Sequence, residues 1–271
     1  MNMINDITVW VRGAGELGSA TALVLHMTGF RVFLSELPVP LAIRRTVTFS
    51  DAVLAGESYV EGVKSVHTKA HSISRIFTKG HIPILMDNPE KILPLEPTIL
   101  VDARMLKHRS EAIMDYTTLT IGLGPGFTAG KTCHAVVETM RGHNLGKIIW
   151  QGEALPNTKI PGNIDGETVR RVIHAPAKGI LEWDADFGDL VAENDLMGTI
   201  DKRHEIKAPL GGLVRGLISP DVPVEKGLKI ADIDPRGESV DYLSVSDKAR
   251  AIGRGVLEVI LTFLKKSKFG S

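Results

Sequence analysis

The order of hydrophobic and polar positions changes character along the chain. In the first half, short apolar runs that predict strands alternate with stretches of helical period. From residue 174 onward, short β-like stretches and turns follow one another. This pattern predicts an α/β fold in which a Rossmann-like, mainly parallel sheet precedes a small all-β module and a C-terminal helix.

The predicted elements divide the chain into three segments. The first, residues 1–168, is a Rossmann-like domain that ends in a glycine-rich extension at 121–166. The second, 169–236, is the β module, and the third, 237–271, contains a helix that packs back. Strands of the first segment are predicted at residues 7–11, 31–36, 58–63, 82–87 and 98–105.

The β module contains an internal repeat with a constant spacing of 33 residues, the distance from Ala175 to Ala208. HAPAKGILEW recurs as KAPLGGLVRG, and the same spacing relates Ile200 to Ile233. Two short β-units that cannot each bury a face are expected to stack as a small sandwich. The segment resembles the biotinyl/lipoyl barrel-sandwich hybrid, although Lys202 at its hairpin tip lacks the apolar setting of a carrier lysine.

Composition and charge narrow the classes of function. The 271 residues are 43% hydrophobic, which allows a sizeable core, and a single cysteine excludes an internal disulfide framework. Thirty-two basic residues balance thirty-two acidic ones, so no global field attracts nucleic acid or an anionic membrane. The protein is expected to be cytoplasmic and to hold any anionic ligand by local groups, and self-association into a homo-oligomer stays open.

A dinucleotide-type glycine fingerprint lies between the first strand and the first helix. Gly13, Gly15 and Gly18 follow the apolar run at 7–11, and Glu36 ends the next strand. Such glycines permit a tight turn, close approach of a pyrophosphate and helix-on-strand packing, while the acidic residue binds a ribose hydroxyl. These residues are candidate ligand groups for a nucleotide-type molecule. The alternative is that the glycines serve only close packing.

Two pairs of charged residues are further candidates. Arg44 and Arg45 follow the second strand, and guanidinium groups match phosphate geometry. Asp102 and Arg104 stand at the carboxyl end of a strand, where open α/β sheets bind ligands. The alternatives are an ion pair for one of the adjacent arginines and an internal Asp102–Arg104 ion pair that fixes the loop.

The glycine-rich stretch IGLGPGFTAGKT ends like a P-loop but does not match one. A P-loop requires glycine at the position of Pro125, and the residues after Thr132 favour a strand rather than a helix. An ATP-binding P-loop is therefore rejected. Backbone amides around Gly124 and Gly126, with Lys131 as a further contact, form a candidate anion site. The alternative is a long turn without a ligand.

No metal site and no nucleophile are predicted. His134, Glu138 and His143 do not have the spacing of an established metal site. Cys133 would face away from His134 in a strand, so it is expected to be a small buried residue.

Five blocks of the sequence carry a family resemblance: VRGAGELGSATALVLHMTGFRVFLSELPVPLAIRRTVTFSDAV, ILVDARM, IGLGPGFTAGK, HAVVETMRGHNLGKIIWQGEALPNTKIPG and SDKARAIGRGVLEVIL. They resemble YqeB-type proteins of the selenium-dependent molybdenum hydroxylase system. The N-terminal half of that family is similar to the Rossmann part of XdhC-type molybdenum-cofactor chaperones.

The resemblance implies an accessory or maturation protein that docks a molybdenum hydroxylase apoprotein. Its small phosphate-bearing ligand would be a molybdopterin-type cofactor or an NAD(P)-like dinucleotide. One alternative is an NAD(P)-dependent oxidoreductase, although no motif supplies its proton donor. The other is an assembly or scaffold protein with a vestigial nucleotide site.

Overall fold

The computed structural model describes residues 4, 6–106, 110–158 and 162–269. The chain forms two compact units, each drawn from separated segments. Unit 1 comprises Met1–Pro38, Thr48–Asn157 and Val245–Ser271, and unit 2 comprises Val39–Val47 and Thr158–Ser244. The division of the chain at 168/169 and 236/237 stays a prediction.

Unit 1 is built on a nine-stranded mixed sheet. Its strands are β1 (Thr8–Arg12), β2 (Arg31–Glu36), β3 (Glu57–Val60), β4 (Val63–His67), β5 (Ile82–Met86), β6 (Ile99–Asp102), β7 (Leu119–Leu123), β9 (Ala135–Val137) and β10 (Ile148–Ile149), and β8 (Thr128–Ala129) pairs separately with β11 (Gly152–Glu153). The order across the large sheet is β10-β9-β7-β6-β1-β2-β5-β4-β3. Pairing is parallel from β9 to β4 and antiparallel at both edges.

The helices of unit 1 are α1 (Glu16–Met27), α2 (Ala52–Ala55), α3 (Ile73–Thr78), α4 (Pro89–Ile92) and α5 (Asp247–Phe269). Helices α1 and α5 pack closely. A Cβ atom added at Gly253 would lie only 3.1 Å from the carbonyl oxygen of Ala20. Glycine at this position therefore allows the two backbones to approach.

The central strands of unit 1 explain why its sequence lacks alternation. Val9, Trp10 and Val11 of β1 are all fully buried, as are Ile99 and Leu100 of β6. A parallel strand in the middle of a sheet is covered on both faces, so consecutive residues are apolar.

Unit 2 contains two antiparallel sheets. The four-stranded sheet has the order β12-β18-β17-β14 and the three-stranded sheet the order β13-β15-β16. Their bounds are β12 (Val172–His174), β13 (Leu181–Trp183), β14 (Leu190–Val191), β15 (Leu196–Ile200), β16 (His204–Lys207), β17 (Gly212–Leu217) and β18 (Lys229–Asp234). Two short 3-10 helices, Arg45–Val47 and Gly237–Ser239, also belong to this unit.

The sequence repeat corresponds to two equivalent strand pairs in unit 2. Leu181 pairs with Ile200 between β13 and β15, and Val214 pairs with Ile233 between β17 and β18. All four side chains are buried. The 33-residue spacing, which is the distance from Leu181 to Val214, thus relates a strand pair of one sheet to a strand pair of the other.

The predicted fold class is wrong in its arrangement of sheets. The structure has a large mixed sheet with additional antiparallel sheets, not a Rossmann-like domain followed by a small barrel-sandwich hybrid. Periodicity predicts single strands but not which strands lie at the edges. At one edge, a tight turn at Glu61 and Gly62, both with positive φ, reverses the chain and makes β3 antiparallel to β4. Unit 2 also includes residues 39–47, which the predicted module lacked.

Among residues 4, 6–106, 110–158 and 162–269, no helix combines the length and the apolar character needed to cross a membrane.

Candidate functional site

Gly13 makes the turn from β1 into the loop before α1. Its φ of +97° lies in the region that favours glycine, and its N–H donates to the carbonyl oxygen of Ser35 over 2.8 Å. A Cβ atom here would lie 3.1 Å from the backbone nitrogen of Arg104. Both the turn and the packing against the β6 end therefore require glycine at this position.

Gly18 and Gly15 have different environments. A Cβ atom at Gly18 would lie 1.9 Å from the carbonyl oxygen of Gly13, so helix α1 rests directly on the loop. Gly15 is the N-cap of α1, with an ordinary backbone conformation of φ −66° and ψ −177° and no side-chain cap. A Cβ atom at Gly15 would meet no atom within 4 Å. Neither packing nor conformation explains this glycine.

The carboxylate of Glu36 binds the backbone of the loop between β1 and α1. One carboxylate oxygen accepts the N–H of Ala14 over 2.7 Å, and the other accepts the N–H of Leu37 over 2.7 Å. Burial raises the pKa of Glu36, and the nearby carboxylate of Asp87 acts in the same direction, against the two backbone hydrogen bonds. The structure thus brings Gly13, Gly15, Gly18 and Glu36 together.

A buried arginine that sequence reasoning missed lies beside this loop. The Arg12 side chain, at the end of β1, donates from Nε to both carboxylate oxygens of Asp87, over 3.1 and 3.0 Å. Ser35 also donates to Asp87, and it accepts the indole N–H of Trp10, each over 2.8 Å. The signal of Arg12 in the sequence is a charged residue at the end of an apolar run, the same feature that makes Asp102 a candidate.

Asp102 and Arg104 form an internal ion pair, the arrangement that the sequence offers as the alternative to ligand binding. Arg104 donates from Nη2 to Asp102 over 2.6 Å and from Nε over 3.0 and 3.1 Å, and Asp102 is fully buried. Arg104 also donates to Glu111 over 3.1 Å, and Arg12 donates to the same Glu111 oxygen. Burial alone would raise the pKa of Glu111, but hydrogen bonds and charges of the two arginines outweigh it and lower the pKa.

The glycine-rich loop after β7 separates its candidate residues. Gly124, with φ +70°, packs where a Cβ atom would lie 2.4 Å from the hydroxyl oxygen of Thr139, and the Gly126 carbonyl oxygen accepts the Ser110 N–H over 3.0 Å. Both glycines follow the carboxyl end of β7. They lie at the same edge of the sheet as Gly13.

Lys131 lies elsewhere. The chain after Gly126 runs back to the start of β9, and the backbone N–H of His134 donates to Thr120, the second residue of β7. Lys131 is exposed and precedes this contact by three residues, toward the amino ends of the strands. The residues after Thr132 form β9 rather than a helix, in agreement with the rejected P-loop.

Arg44 and Arg45 belong to unit 2, whereas the glycine loop belongs to unit 1. Arg44 is buried, and the guanidinium carbon of Arg45 lies 5.7 Å from the centre of the Phe187 ring. Their assignment to a ligand stays a prediction.

The polar residues of the glycine-rich extension have structural partners. Burial raises the pKa of Cys133 to about 11, so the group is a neutral thiol at neutral pH. Buried Glu138 accepts the N–H groups of Thr139, Met140 and Leu155 over 2.7, 2.7 and 2.8 Å. In the part of the chain that the structure describes, no three His, Cys, Asp or Glu side chains are grouped to hold a metal ion.

Comparison with known proteins gives one curated relative of high similarity. No protein-family model matches the chain. The chain is 49% identical over 258 residues to a protein of Escherichia coli (strain K12) described as Uncharacterized protein YqeB. The match covers 94% of this chain and 48% of the relative, so the chain spans about half the length of that protein.

Two solved structures with similarity to this chain have the following descriptions. The ectoine utilization protein EutE (DoeB) of Ruegeria pomeroyi is 12% identical, with a TM-score of 0.25 over 84% of this chain and 85% of that one. A succinylglutamate desuccinylase/aspartoacylase of Rhodobacter sphaeroides is 13% identical, with a TM-score of 0.28 over 84% of each chain. Similarity this low gives no argument for a fold or an activity of this chain.

These comparisons correct the family assignment and the function derived from it. The curated relative is described only as Uncharacterized protein YqeB, and this description names neither molybdenum hydroxylase maturation nor an XdhC-type chaperone. The assignment to maturation of a selenium-dependent molybdenum hydroxylase is therefore wrong. The two alternatives, an NAD(P)-dependent oxidoreductase and an assembly or scaffold protein with a vestigial nucleotide site, are not supported either. The ligand and the protein partner stay predictions.

Proposed function

We propose that unit 1 binds a nucleotide-type ligand, with phosphate oxygens at the amino end of α1. The observation that carries this proposal is Gly15. Gly13 and Gly18 are explained by conformation and packing within the protein, whereas a side chain at Gly15 would enter open space. Glycine is accepted at helix N-caps, and it also lets a ligand approach the backbone closely at this point.

The electrostatics of the loop support a phosphate. The first N–H groups of a helix have no partner within the helix, and the helix dipole adds partial positive charge there. Gly15 supplies no side-chain cap to these amides. Phosphates bind helix amino ends for this reason.

Glu36 favours a nucleotide over free phosphate. Its carboxylate lies against the loop through the N–H of Ala14, at the end of the strand after α1. A carboxylate has about four acceptor positions, so two remain after the backbone hydrogen bonds. Ribose hydroxyls are the usual donors to an acidic residue in this position. We assign no reaction to this site.

A cytoplasmic location is part of the proposal. The single cysteine, Cys133, is buried and free, as is usual in a reducing compartment.

Gly15→Ala tests the proposal. We expect isothermal titration calorimetry with ADP, NAD+ and NADP+ to detect binding of at least one of them to the wild-type chain. The added methyl group should weaken that binding by about 10-fold or more, because it occupies the approach of the phosphate. Thermal stability should fall only slightly, since the methyl group meets no protein atom within 4 Å and the only cost is that alanine is a poorer N-cap than glycine.

Gly211→Ala is the matched control for this experiment. Gly211 is an exposed glycine of unit 2, and the nearest atom to an added Cβ lies at an ordinary 3.5 Å. Its substitution should leave nucleotide affinity unchanged. If none of the three nucleotides binds the wild type, or if Gly15→Ala binds as tightly, the proposal is rejected.

A further inference from the structure

Two arginines of unit 1 converge on one carboxylate oxygen. Arg12 donates from Nη1 and Arg104 from Nη2 to Oε1 of Glu111, the latter over 3.1 Å. The three residues come from the end of β1, the segment after β6 and the segment before β7. Such convergence of guanidinium donors is the arrangement with which proteins bind carboxylates and phosphates.

Each arginine is held in place by a separate buried acid. Asp87 accepts both hydrogen bonds from Nε of Arg12, and Asp102 accepts three from the Arg104 side chain. The Asp87 and Asp102 side chains are 9% and 0% exposed. The guanidinium groups are therefore oriented independently of Glu111, and they would present the same donors without it.

Glu111 differs from the other members of this cluster. Its side chain is 46% exposed, against 7% for Arg12 and 20% for Arg104. The two aspartates already balance the charges of the two arginines, so Glu111 adds a third negative charge. An exposed carboxylate that is not needed for neutrality can exchange for another anion, whereas removal of a buried aspartate would leave a buried charge without a partner.

We infer that Arg12 and Arg104 form an oxyanion subsite for a carboxylate or phosphate group of a ligand, and that Glu111 occupies this subsite until the ligand displaces it. The subsite adjoins the glycine loop, because Arg12 directly precedes Gly13 and a Cβ atom at Gly13 would lie 3.1 Å from Arg104. It does not rest on the proposed nucleotide site. The two arginines would bind an oxyanion whether or not a phosphate lies at Gly15.

Removal of the competing carboxylate should increase affinity for a simple oxyanion. We expect Glu111→Gln to bind inorganic sulfate about 10-fold more tightly than the wild type in calorimetric titrations, because the subsite no longer has to open. Glu90→Gln makes the same charge change at an exposed position of α4 and should bind sulfate as the wild type does. Equal sulfate affinity of Glu111→Gln and Glu90→Gln would overturn the inference. Succinate in place of sulfate distinguishes a carboxylate from a tetrahedral oxyanion as the preferred group.

The ionisation of Glu111 gives a second, direct readout in the wild-type chain. Its pKa is low while the arginines hold it. If sulfate displaces the carboxylate, the pKa of Glu111, followed by the carboxyl carbon shift in NMR, should rise toward its ordinary value as sulfate is added. A Glu111 pKa that stays unchanged at sulfate concentrations that saturate binding would show that the arginines are not the binding groups.

Two variants separate this subsite from the proposed nucleotide site. Arg104→Lys keeps the positive charge beside Asp102 but loses the planar fork, and should abolish the gain that Glu111→Gln produces. Gly15→Ala combined with Glu111→Gln should retain that gain even if nucleotide affinity is lost. A gain in sulfate affinity that disappears with Gly15→Ala but persists with Arg104→Lys would assign the anion to the helix terminus and reject the arginine subsite.

Discussion

Gly18→Ala is expected to lower the free energy of unfolding of unit 1 by about 3 kcal/mol, the upper part of the range for overpacked positions. Glycine to alanine inside a helix normally stabilises by up to about 1 kcal/mol, so the expected sign is reversed. The reason is the contact of α1 with the loop below it. The added Cβ atom would lie 1.9 Å from the carbonyl oxygen of Gly13 and 3.2 Å from Cβ of Ala103. Backbone atoms cannot rotate away as a side chain can, so α1 or the loop must shift.

Tryptophan resonances allow this effect to be measured in unit 1 alone. Trp10 and Trp150 lie in unit 1, whereas Trp183 lies in unit 2. Fluorine NMR of 5-fluorotryptophan protein in urea would follow each of them. Gly18→Ala should lower the urea midpoint of the buried Trp10, while Gly15→Ala, three residues away, should leave it close to the wild type. Equal midpoints for both variants would mean that a methyl group at position 18 does not press against the carbonyl oxygen of Gly13.

The local part of the candidate site could be predicted from the sequence. A glycine motif between an apolar strand and a helix specifies a turn, and Gly13 and Gly18 perform the roles expected of them. Glu36 also lies where its position at the end of the second strand indicated. These features depend on residues within one strand–helix–strand segment, so local periodicity and residue type are sufficient.

The charged cluster could not be predicted, because its partners are far apart in the chain. Arg12 is separated by 75 residues from Asp87 and by 99 residues from Glu111. Their contact depends on the order of strands across the sheet, which single-strand patterns do not contain. Periodicity also gave no indication of the antiparallel edges that made the predicted layout wrong.

Proximity in sequence was misleading for Lys131. Lys131 shares one glycine-rich stretch with Gly124 and Gly126, and the sequence therefore predicts one site for all three residues. Strands β7 and β9 are parallel neighbours, so the chain between them has to return from the carboxyl ends to the amino ends. The glycines lie at the start of that return and Lys131 lies near its end. Its separation from them therefore follows from the parallel pairing.

Asp234→Asn is expected to destabilise unit 2 by about 3 kcal/mol at neutral pH, because it breaks a buried ion-pair network. Asp234 is fully buried and accepts hydrogen bonds from Arg215 over 2.9 Å and from the side chain of Arg236 over 2.8 and 2.7 Å. An amide carries no charge and offers only one acceptor atom. Arg215, which is 12% exposed, would retain only Asp232 as a carboxylate partner.

The sequence repeat supplies a matched control for this substitution. Asp201 occupies the position equivalent to Asp234, but it is exposed and accepts a single backbone hydrogen bond, from Ile180 over 2.9 Å. Asp201→Asn should therefore have a much smaller effect on the Trp183 urea midpoint. Equal losses for the two variants would mean that the effect of Asp234→Asn does not come from the buried arginines.

The pH dependence of the Asp234 variant tests the electrostatic origin of its effect. Burial alone would raise the pKa of Asp234, but the hydrogen bonds and charges of Arg236 and Arg215 outweigh it and lower the pKa below the ordinary 3.8. Because the pKa of Asp234 is lower in the folded state, its ionisation stabilises the folded state above pH 3.8. This stabilisation is lost as the pH falls through the pKa that Asp234 has in the folded state. Asp234→Asn lacks this titration, so the difference in Trp183 midpoint between variant and wild type should be largest at neutral pH and shrink in acid. A difference that stays constant from neutral pH into strong acid would mean that Asp234 stabilises unit 2 through packing rather than through its charge.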